Sequence, residues 1–423
     1  MEELLHYIWK YRLFPMTSLK SDKEELIEVI DTGLLNRDAG PDFFNAKIKI
    51  GDTVWVGNVE IHLQSSDWYR HHHDIDKSYD STILHVVGEI DKSVQRTNGE
   101  TIPQLVLPVS PEIVKRYGEL KRAEYQPQCF SIISTLNKME ISSWLSTLQV
   151  ERLELKYNRI IELFDGREYM WKDIFFITLA RNFGFGLNGD TFERWAKRLP
   201  FRALDKHRDN LFQLESLFFG LSGLLVYNEQ DKYANALITE FEYLKAKFQL
   251  NCLDLPWKLS KVRPSSFPHA RIAQLADFYH RQANFVDCLT QVSTINEIYA
   301  LLDFKTSEYW NTNFTFGKES KVGSSSKEMT KKTKDLIIIN TVVPFLYAYA
   351  KNQGDELLME RVFSLLAMLK PENNYITRLW DKAGVVVNNA ADSQALIQLQ
   401  KEYCDKRKCI YCRFGYRYMK VNN

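Results

Sequence analysis

The chain of 423 residues has no excess of either charge: 55 Lys and Arg stand against 54 Asp and Glu, a formal +1. No global field therefore favours nucleic acid or an anionic membrane, and any such partner must be met by a local surface. Long apolar runs are missing too. The two longest, Leu217 to Tyr227 and Leu336 to Ala350, fall short of the roughly 18 to 20 residues that a bilayer-spanning helix needs, and Asn340 and Pro344 interrupt the second. The N-terminus, MEELLHYIWKYRLF, places acids ahead of an amphipathic pattern, where a secretory signal has basic residues followed by an unbroken apolar stretch. These features predict a cytoplasmic protein with no membrane partner. Cysteine is scarce, six in all, which argues against a disulfide scaffold at this length. There is no G-x4-G-K-[ST], no H-E-x-x-H and no G-x-S-x-G, so P-loop ATPase, zincin and α/β-hydrolase readings have no direct support. Gly184 to Gly189 does satisfy G-x-G-x-x-G, but it follows a helical pattern with no βαβ unit around it and reads as a helix end and loop.

What is present is ordinary globular material: 45% hydrophobic and 26% charged residues rule out a mostly disordered chain. The length suits two or three domains of about 150 residues each. After a first helix around Leu4, Leu5 and Ile8, strand-like runs cover Leu26 to Asp31, Ala46 to Ile50, Thr53 to Gln64, Thr82 to Val87 and Gln104 to Val109, with a hairpin turn at Gly51-Asp52. From Pro111 the period becomes helical, with segments at Lys138 to Phe164, Met170 to Phe183, Asn210 to Tyr227, Lys232 to Phe248, Ile272 to Arg281, Asp335 to Lys351, Glu356 to Leu369 and Asp392 to Tyr403. Residues 319–334, rich in Ser and Lys, read as a surface loop. The expected fold class is α+β: a small mixed sheet in 1–110, a large all-α domain in 111–403, and a cysteine-rich basic tail in 404–423.

Chemistry gathers in residues 40–62. Strand alternation puts Trp55, Gly57, Val59, Ile61 and Leu63 on one face of Thr53 to Gln64, the core face, and Asn58, Glu60, His62 and Gln64 on the other. Across the hairpin, the segment after Gly40-Pro41 brings the Asp42 carboxylate beside Glu60. Pro41-Asp42 with Glu60-Ile61-His62, in this order of elements, resembles the PD-(D/E)-x-K nuclease superfamily. That resemblance implies that Asp42, Glu60 and the Ile61 carbonyl bind Mg²⁺ or Mn²⁺ and that residue 62 orients or activates the attacking water, since hard cations want oxygen ligands and generate hydroxide. The departure is His62, where the superfamily has Lys: an imidazole is neutral near its ordinary pKa and can itself ligate metal.

Longer strings, GPDFFNAKI, WVGNVEIHLQSSDW, ILHVV, RPSSFP with HARIAQLA, and IIINTVVP, resemble an uncharacterised bacterial family known as domain of unknown function 2851, whose pattern around Trp68, His71, His73, Tyr79 and His85 agrees with this chain. The family implies an architecture and no activity. Within the His-rich stretch, one reading joins His62, one of His71 to His73, and His85 in a Zn²⁺ or Mn²⁺ site; the other makes His85 a core histidine and points His72 to solvent.

At the far end, Cys404, Cys409 and Cys412 form C-x4-C-x2-C, with Cys129 as the best distant fourth ligand for zinc or an iron-sulfur cluster. Some relatives of the nuclease superfamily carry a similar layout of one distal and three clustered cysteines around an iron-sulfur cluster. The tail also interleaves basic residues with Phe414, Tyr416 and Tyr418, a composition that suits backbone contact and base stacking. Gln64, His71, His73, Arg413 and Arg417 are the candidate nucleic-acid contacts. The leading expectation is a metal-dependent nucleic-acid phosphodiesterase with catalytic Asp42, Glu60 and His62; the alternative is a catalytically degenerate nucleic-acid-binding or scaffolding protein.

Overall fold

The computed structural model describes residues 1–36, 39–122, 127–166, 168–184, 186–252, 254–260, 262, 266–303, 305–319 and 328–420. It is α+β, with a mixed sheet near the N-terminus followed by many helices. Two compact units form: residues 1–137 with 400–423, and residues 138–399. This line differs from the division 1–110, 111–403, 404–423, because the helices at 111–133 and the tail both pack with the sheet.

In the first unit, helix α1 (Glu2–Lys10) buries Leu4, Leu5, Tyr7, Ile8 and Trp9. These residues recur at helical spacing and give α1 one wide apolar face. Seven strands follow: β1 (Leu19–Lys20), β2 (Leu26–Asp31), β3 (Leu34–Leu35), β4 (Phe43–Ile50), β5 (Thr53–Gln64), β6 (Thr82–Glu89) and β7 (Gln104–Val106). The sheet order is β1-β2-β4-β5-β6-β7, with β3 beside β4. Pairings through β4/β5 are antiparallel and those of β5/β6 and β6/β7 parallel. The hairpin lies at the expected place, with Gly51 in the left-handed region at φ 57° and Ile50 facing Thr53. The strand expected to reach Val109 stops at Val106.

β5 changes partner along its length. From Thr53 to Val59 it pairs with β4, from Asn58 to Gln64 with β6, and Val59 pairs with both. Gly57 stands at the switch: a Cβ there would lie 2.4 Å from Ile83 Cγ2 and 2.8 Å from the Ser81 carbonyl. Only a residue without a side chain lets the two strands approach so closely. On one face, Val59 and Ile61 join a core made with Leu4, Ile8, Ile48, Leu84, Val86 and Leu105. Trp55 and Leu63, expected on that face, are exposed instead, because only the stretch 59–62 of β5 is buried and they lie to either side of it. The other face is roofed by the 65–81 crossover, whose short helix α2 (Asp67–Arg70) carries the fully buried Trp68.

Helices α3 (Pro111–Arg122) and α4 (Phe130–Ile133) complete this unit together with a tail helix at Arg413–Met419. The second unit is helical, as its periodicity indicates, apart from a two-stranded ribbon at Asn313–Thr315 and Lys318–Glu319. Its helix at Leu211–Ser222 ends five residues before Tyr227, because Gly223 takes a left-handed cap at φ 71°. Of the expected loop at 319–334, residues 320–327 lie outside the described residues and 331–334 open a helix capped by Thr330. Gly184 and Gly189 do mark a helix–helix junction: a Cβ on Gly184 would sit 2.3 Å from the Gly189 nitrogen. No described helix is long and apolar enough to cross a membrane.

Candidate functional site

β4 and β5 bring Asp42 and Glu60 together by reciprocal bonds. The Asp42 N–H donates to Glu60 Oε2 at 3.0 Å, and the Ile61 N–H donates to Asp42 Oδ2 at 2.9 Å. Each carboxylate thus holds the other's strand, and the expected pairing of these two acids is present. A residue that the sequence reading missed completes this side: His6, on α1, places Nε2 3.2 Å from Asp42 Oδ2 and 3.4 Å from the Ile61 carbonyl. Burial lowers the pKa of His6, but its hydrogen bond to Asp42 and the carboxylate charge outweigh burial and leave it raised.

The other oxygen of Glu60 faces imidazoles. Oε1 lies 3.4 Å from His62 Nε2 and 3.3 Å from His73 Nε2, and His62 Nε2 lies 3.1 Å from His71 Nδ1. The ligand atoms of His62, His71 and His73 all lie within 4.8 Å of one another. Donors arranged tetrahedrally around an ion at about 2.1 Å are separated by roughly 3.4 Å, so the contacts around His62 and Glu60 have the spacing of a coordination shell. The crossover sets this geometry. His72 adopts φ 63°, which turns the chain between its neighbours and leaves its own side chain in solvent. His73 is buried, stacked on Tyr79 at 3.7 Å and edge-on to Trp68. His71 is exposed and opens the cluster to solvent, with exposed Gln64 at the end of β5.

Behind His62 stands a second ring. In register, Glu60 faces His85 on β6, and His85 faces Gln104 on β7, a row across three parallel strands. His62 Nδ1 and His85 Nε2 are 2.9 Å apart. Gln104 donates from Nε2 to the Lys92 carbonyl at 3.1 Å, leaving Oε1 as its acceptor. That Oε1 and His85 Nδ1 are both buried without a hydrogen bond of ordinary geometry, yet the Gln104 side chain favours protonation of His85. A proton on His85 Nδ1 toward Gln104 leaves His85 Nε2 to accept from His62 Nδ1. His62 Nε2 then presents a lone pair to the cluster, the usual outer-ring logic of metal-ligating histidines. His85 is therefore a core histidine that orients a possible ligand.

Electrostatics match this assignment. Burial, then the neighbouring imidazoles of His85, His73 and His71, push His62 down to about 2, and burial takes His85 down to about 4 and His73 below its ordinary value. These rings are neutral at physiological pH, the form that binds metal. Burial and the Asp42 charge push Glu60 up to about 9.

The other sequence-predicted residues lie apart from this cluster in role. Arg413 and Arg417 are exposed on the tail helix. Phe414 is 1% exposed, the Tyr416 ring lies 4.9 Å from that of Tyr11, and Tyr418 donates to Glu119 at 2.7 Å. The expected base-stacking surface is corrected accordingly: Phe414 is closed to a base, and both tyrosines are engaged within the fold. Cys129, Cys404, Cys409 and Cys412 belong to the same unit as the sheet, and none forms a disulfide.

A protein-family model described as Protein of unknown function (DUF2851) matches residues 2–375. No curated protein and no solved structure matches the chain.

Proposed function

The chain belongs to the DUF2851 family, whose description assigns no activity, and we propose from the site itself that the protein is a metal-dependent phosphodiesterase acting on nucleic acid. The observation that carries the reading is Glu60, which joins the Asp42 side to the imidazole side through its two oxygens. Further support comes from the strand order, in which an aspartate just before one strand meets a glutamate in the next and a parallel strand follows, as the resemblance to PD-(D/E)-x-K nucleases implies. Glu60 with His62, His71 and His73 would hold the ion, with Asp42 and the Ile61 carbonyl beside it. Imidazole donors favour Mn²⁺ or Zn²⁺ over Mg²⁺. Such an ion supplies a water of lowered pKa and neutralises charge on the phosphoryl group.

The chain's own residues divide the remaining work. His62, neutral and held by His85, does not supply the positive charge that a lysine would. His6, which Asp42 biases toward its protonated form, takes that place beside the Ile61 carbonyl. Exposed His71 and Gln64 line the side from which substrate and water enter.

The test is cleavage of single- and double-stranded DNA and RNA with Mn²⁺, Zn²⁺ or Mg²⁺. Activity should appear with Mn²⁺ or Zn²⁺ and fall at least about 100-fold in Glu60→Ala, which removes a ligand. Cleavage that survives Glu60→Ala would sink the reading. Metal binding without cleavage on any of these substrates would favour a degenerate nucleic-acid-binding or scaffolding protein.

A further inference from the structure

A second polar constellation lies within the helical unit. On helix α5 (Lys138–Ile161), Arg152, Lys156 and Arg159 recur at spacings of four and three and so share one face. The helix that covers residues 331–353 is interrupted by a π-helical turn at Ile338–Val342. Such a turn shifts backbone groups off the regular ladder, and one of them finds a partner outside its own helix. Asn182, on α6 (Trp171–Phe183), donates from Nδ2 to the Asn340 carbonyl at 3.0 Å and to Thr341 Oγ1 at 2.8 Å. The wider turn is thereby pinned at Asn340, whose side chain meets α5.

Lys156 Nζ donates to Asn340 Oδ1 at 3.1 Å and to Gln394 Oε1 at 3.2 Å. Both amides are held in turn by Glu372, since Asn340 Nδ2 donates to its Oε1 at 3.4 Å and Gln394 Nε2 donates to its Oε2. Arg152 Nε also donates to Gln394 Oε1, at 2.6 Å. Lys156, Asn340, Glu372 and Gln394 therefore close a ring in which both partners of the amine are neutral amide oxygens, and the carboxylate is reached only through them. An ammonium has three hydrogens to place, whereas a neutral amine has two and a lone pair. Two acceptors suit the amine. Burial of Nζ, and after it the Arg152 charge, holds Lys156 well below the ordinary lysine range against the pull of Glu372.

Lys156 stands on the wall of a cavity of about 100 Å³, room for one small organic molecule, since a water takes roughly 30 Å³ in the liquid. The other walls divide by chemistry. Ile160, Ile177 and Pro344 are apolar, and Arg159 and Arg181 bring guanidinium groups. Arg181 engages Asp190 and Glu193 through Nη1 alone, at 2.6 Å each, which leaves Nη2 and Nε for a ligand. We propose that Lys156 is the nucleophile of a carbonyl-binding site that takes a small 2-oxo acid, with Arg181 on the carboxylate and the apolar wall on the alkyl end. The Lys156 lone pair forms a bond to the keto carbon while the C=O π pair moves to oxygen. The two amine hydrogens then leave with that oxygen as water, and a C=N bond joins the ligand to the chain. Nothing is oxidised or reduced in this step. The site shares no residue with the Asp42 and Glu60 site, so each reading stands or fails alone.

The experiment is trapping on the full chain with pyruvate as the probe and sodium cyanoborohydride, which reduces the C=N bond to a stable secondary amine. Peptide mass spectrometry should find one reduced pyruvyl group on Lys156, at an occupancy at least about tenfold above that of any exposed lysine. Lys156→Met should lose this label; if that variant does not fold, the wild-type peptide map decides alone. Arg181→Gln should lower trapping of pyruvate about tenfold, the worth of one charged hydrogen bond, and leave unchanged the trapping of acetone, which lacks the carboxylate. Labelling of Lys156 no stronger than that of exposed lysines overturns the proposal. Pyruvate trapping that Arg181→Gln leaves unchanged overturns the assignment of a carboxylate ligand.

Discussion

Glu60 sits under opposing demands, and its protonation links pH to metal. Its carboxyl is raised from 4.5 to about 9 by burial and by Asp42, so between those values the metal-free folded state holds a proton that the unfolded chain has released. The folded state binds more protons, so Glu60 makes metal-free stability fall as pH rises from about 4.5 to about 9. A divalent ion removes the conflict by taking the proton's place. Metal affinity should therefore rise with pH, by up to about tenfold per unit below pH 9, as titration calorimetry with Mn²⁺ at pH 6, 7 and 8 would read. Glu60→Gln should abolish the Mn²⁺ effect while raising metal-free stability at pH 8 by on the order of 1 to 3 kcal/mol, because a neutral amide needs no proton taken up on folding and keeps a polar side chain. A metal-free Glu60→Gln protein no more stable than wild type at pH 8 would mean that the carboxyl is not desolvated. Gln104 makes a second test at this scale: Gln104→Leu should weaken Mn²⁺ about 10- to 100-fold without touching a ligand. Asp42, Glu60 and His62 were readable in sequence because a period of two and a hairpin place them. His6 and Gln104 were not, since helix periodicity says nothing about which strand end a helix residue reaches, and Gln104 meets His85 only through parallel pairing.

At the scale of elements, β5 does most to position the site, and its glycine is the weak point. Gly57→Ala drives a methyl group to within 2.4 Å of Ile83 and 2.8 Å of the Ser81 carbonyl, a backbone atom with little freedom to retreat. The cost should be about 1 to 3 kcal/mol, the usual range for overpacking, read as a lower denaturant midpoint. Mn²⁺ affinity should fall with it, because the same switch sets the register of Glu60 against His85. Unchanged affinity in a destabilised variant would separate the switch from the site. β2 and β5 matched their sequence limits because alternation and turn residues agree there. Two kinds of detail escaped. Trp55 looked like a core residue because alternation gives a face and not how far a neighbouring helix covers it. The tail aromatics looked like a stacking surface because alternation with basic residues in a short helix hides buried Phe414 and Met419 and a half-buried Tyr418 whose partners, Glu119 and Arg116, lie about 300 residues earlier.

For the whole molecule, the unequal continuity of the two units has a thermodynamic consequence. Residues 138–399 are one uninterrupted segment, whereas the sheet unit draws on both ends of the chain. Helical periodicity ran on past residue 399, so no local signal marked where the chain returns to the sheet unit; the return is visible only as burial of Ile410 and Met419 in the core that α1 and the sheet also build. Fully burying two such side chains contributes up to about 3 to 6 kcal/mol, and Arg116 and Arg407 add hydrogen bonds to tail and α3 carbonyls. A domain has only about 5 to 15 kcal/mol in hand. Ending the chain after residue 399 should therefore leave the sheet unit marginal or unfolded at 37 °C while the helical unit keeps its own transition. Thermal unfolding followed by circular dichroism, with limited proteolysis to identify the resistant fragment, would test this: the full chain should protect both units, and the shortened chain only a fragment within 138–399. If the shortened chain instead protects residues 1–137 at the same temperature as the full chain, the tail adds nothing to that core, and burial of Ile410 and Met419 is not what holds the sheet unit together.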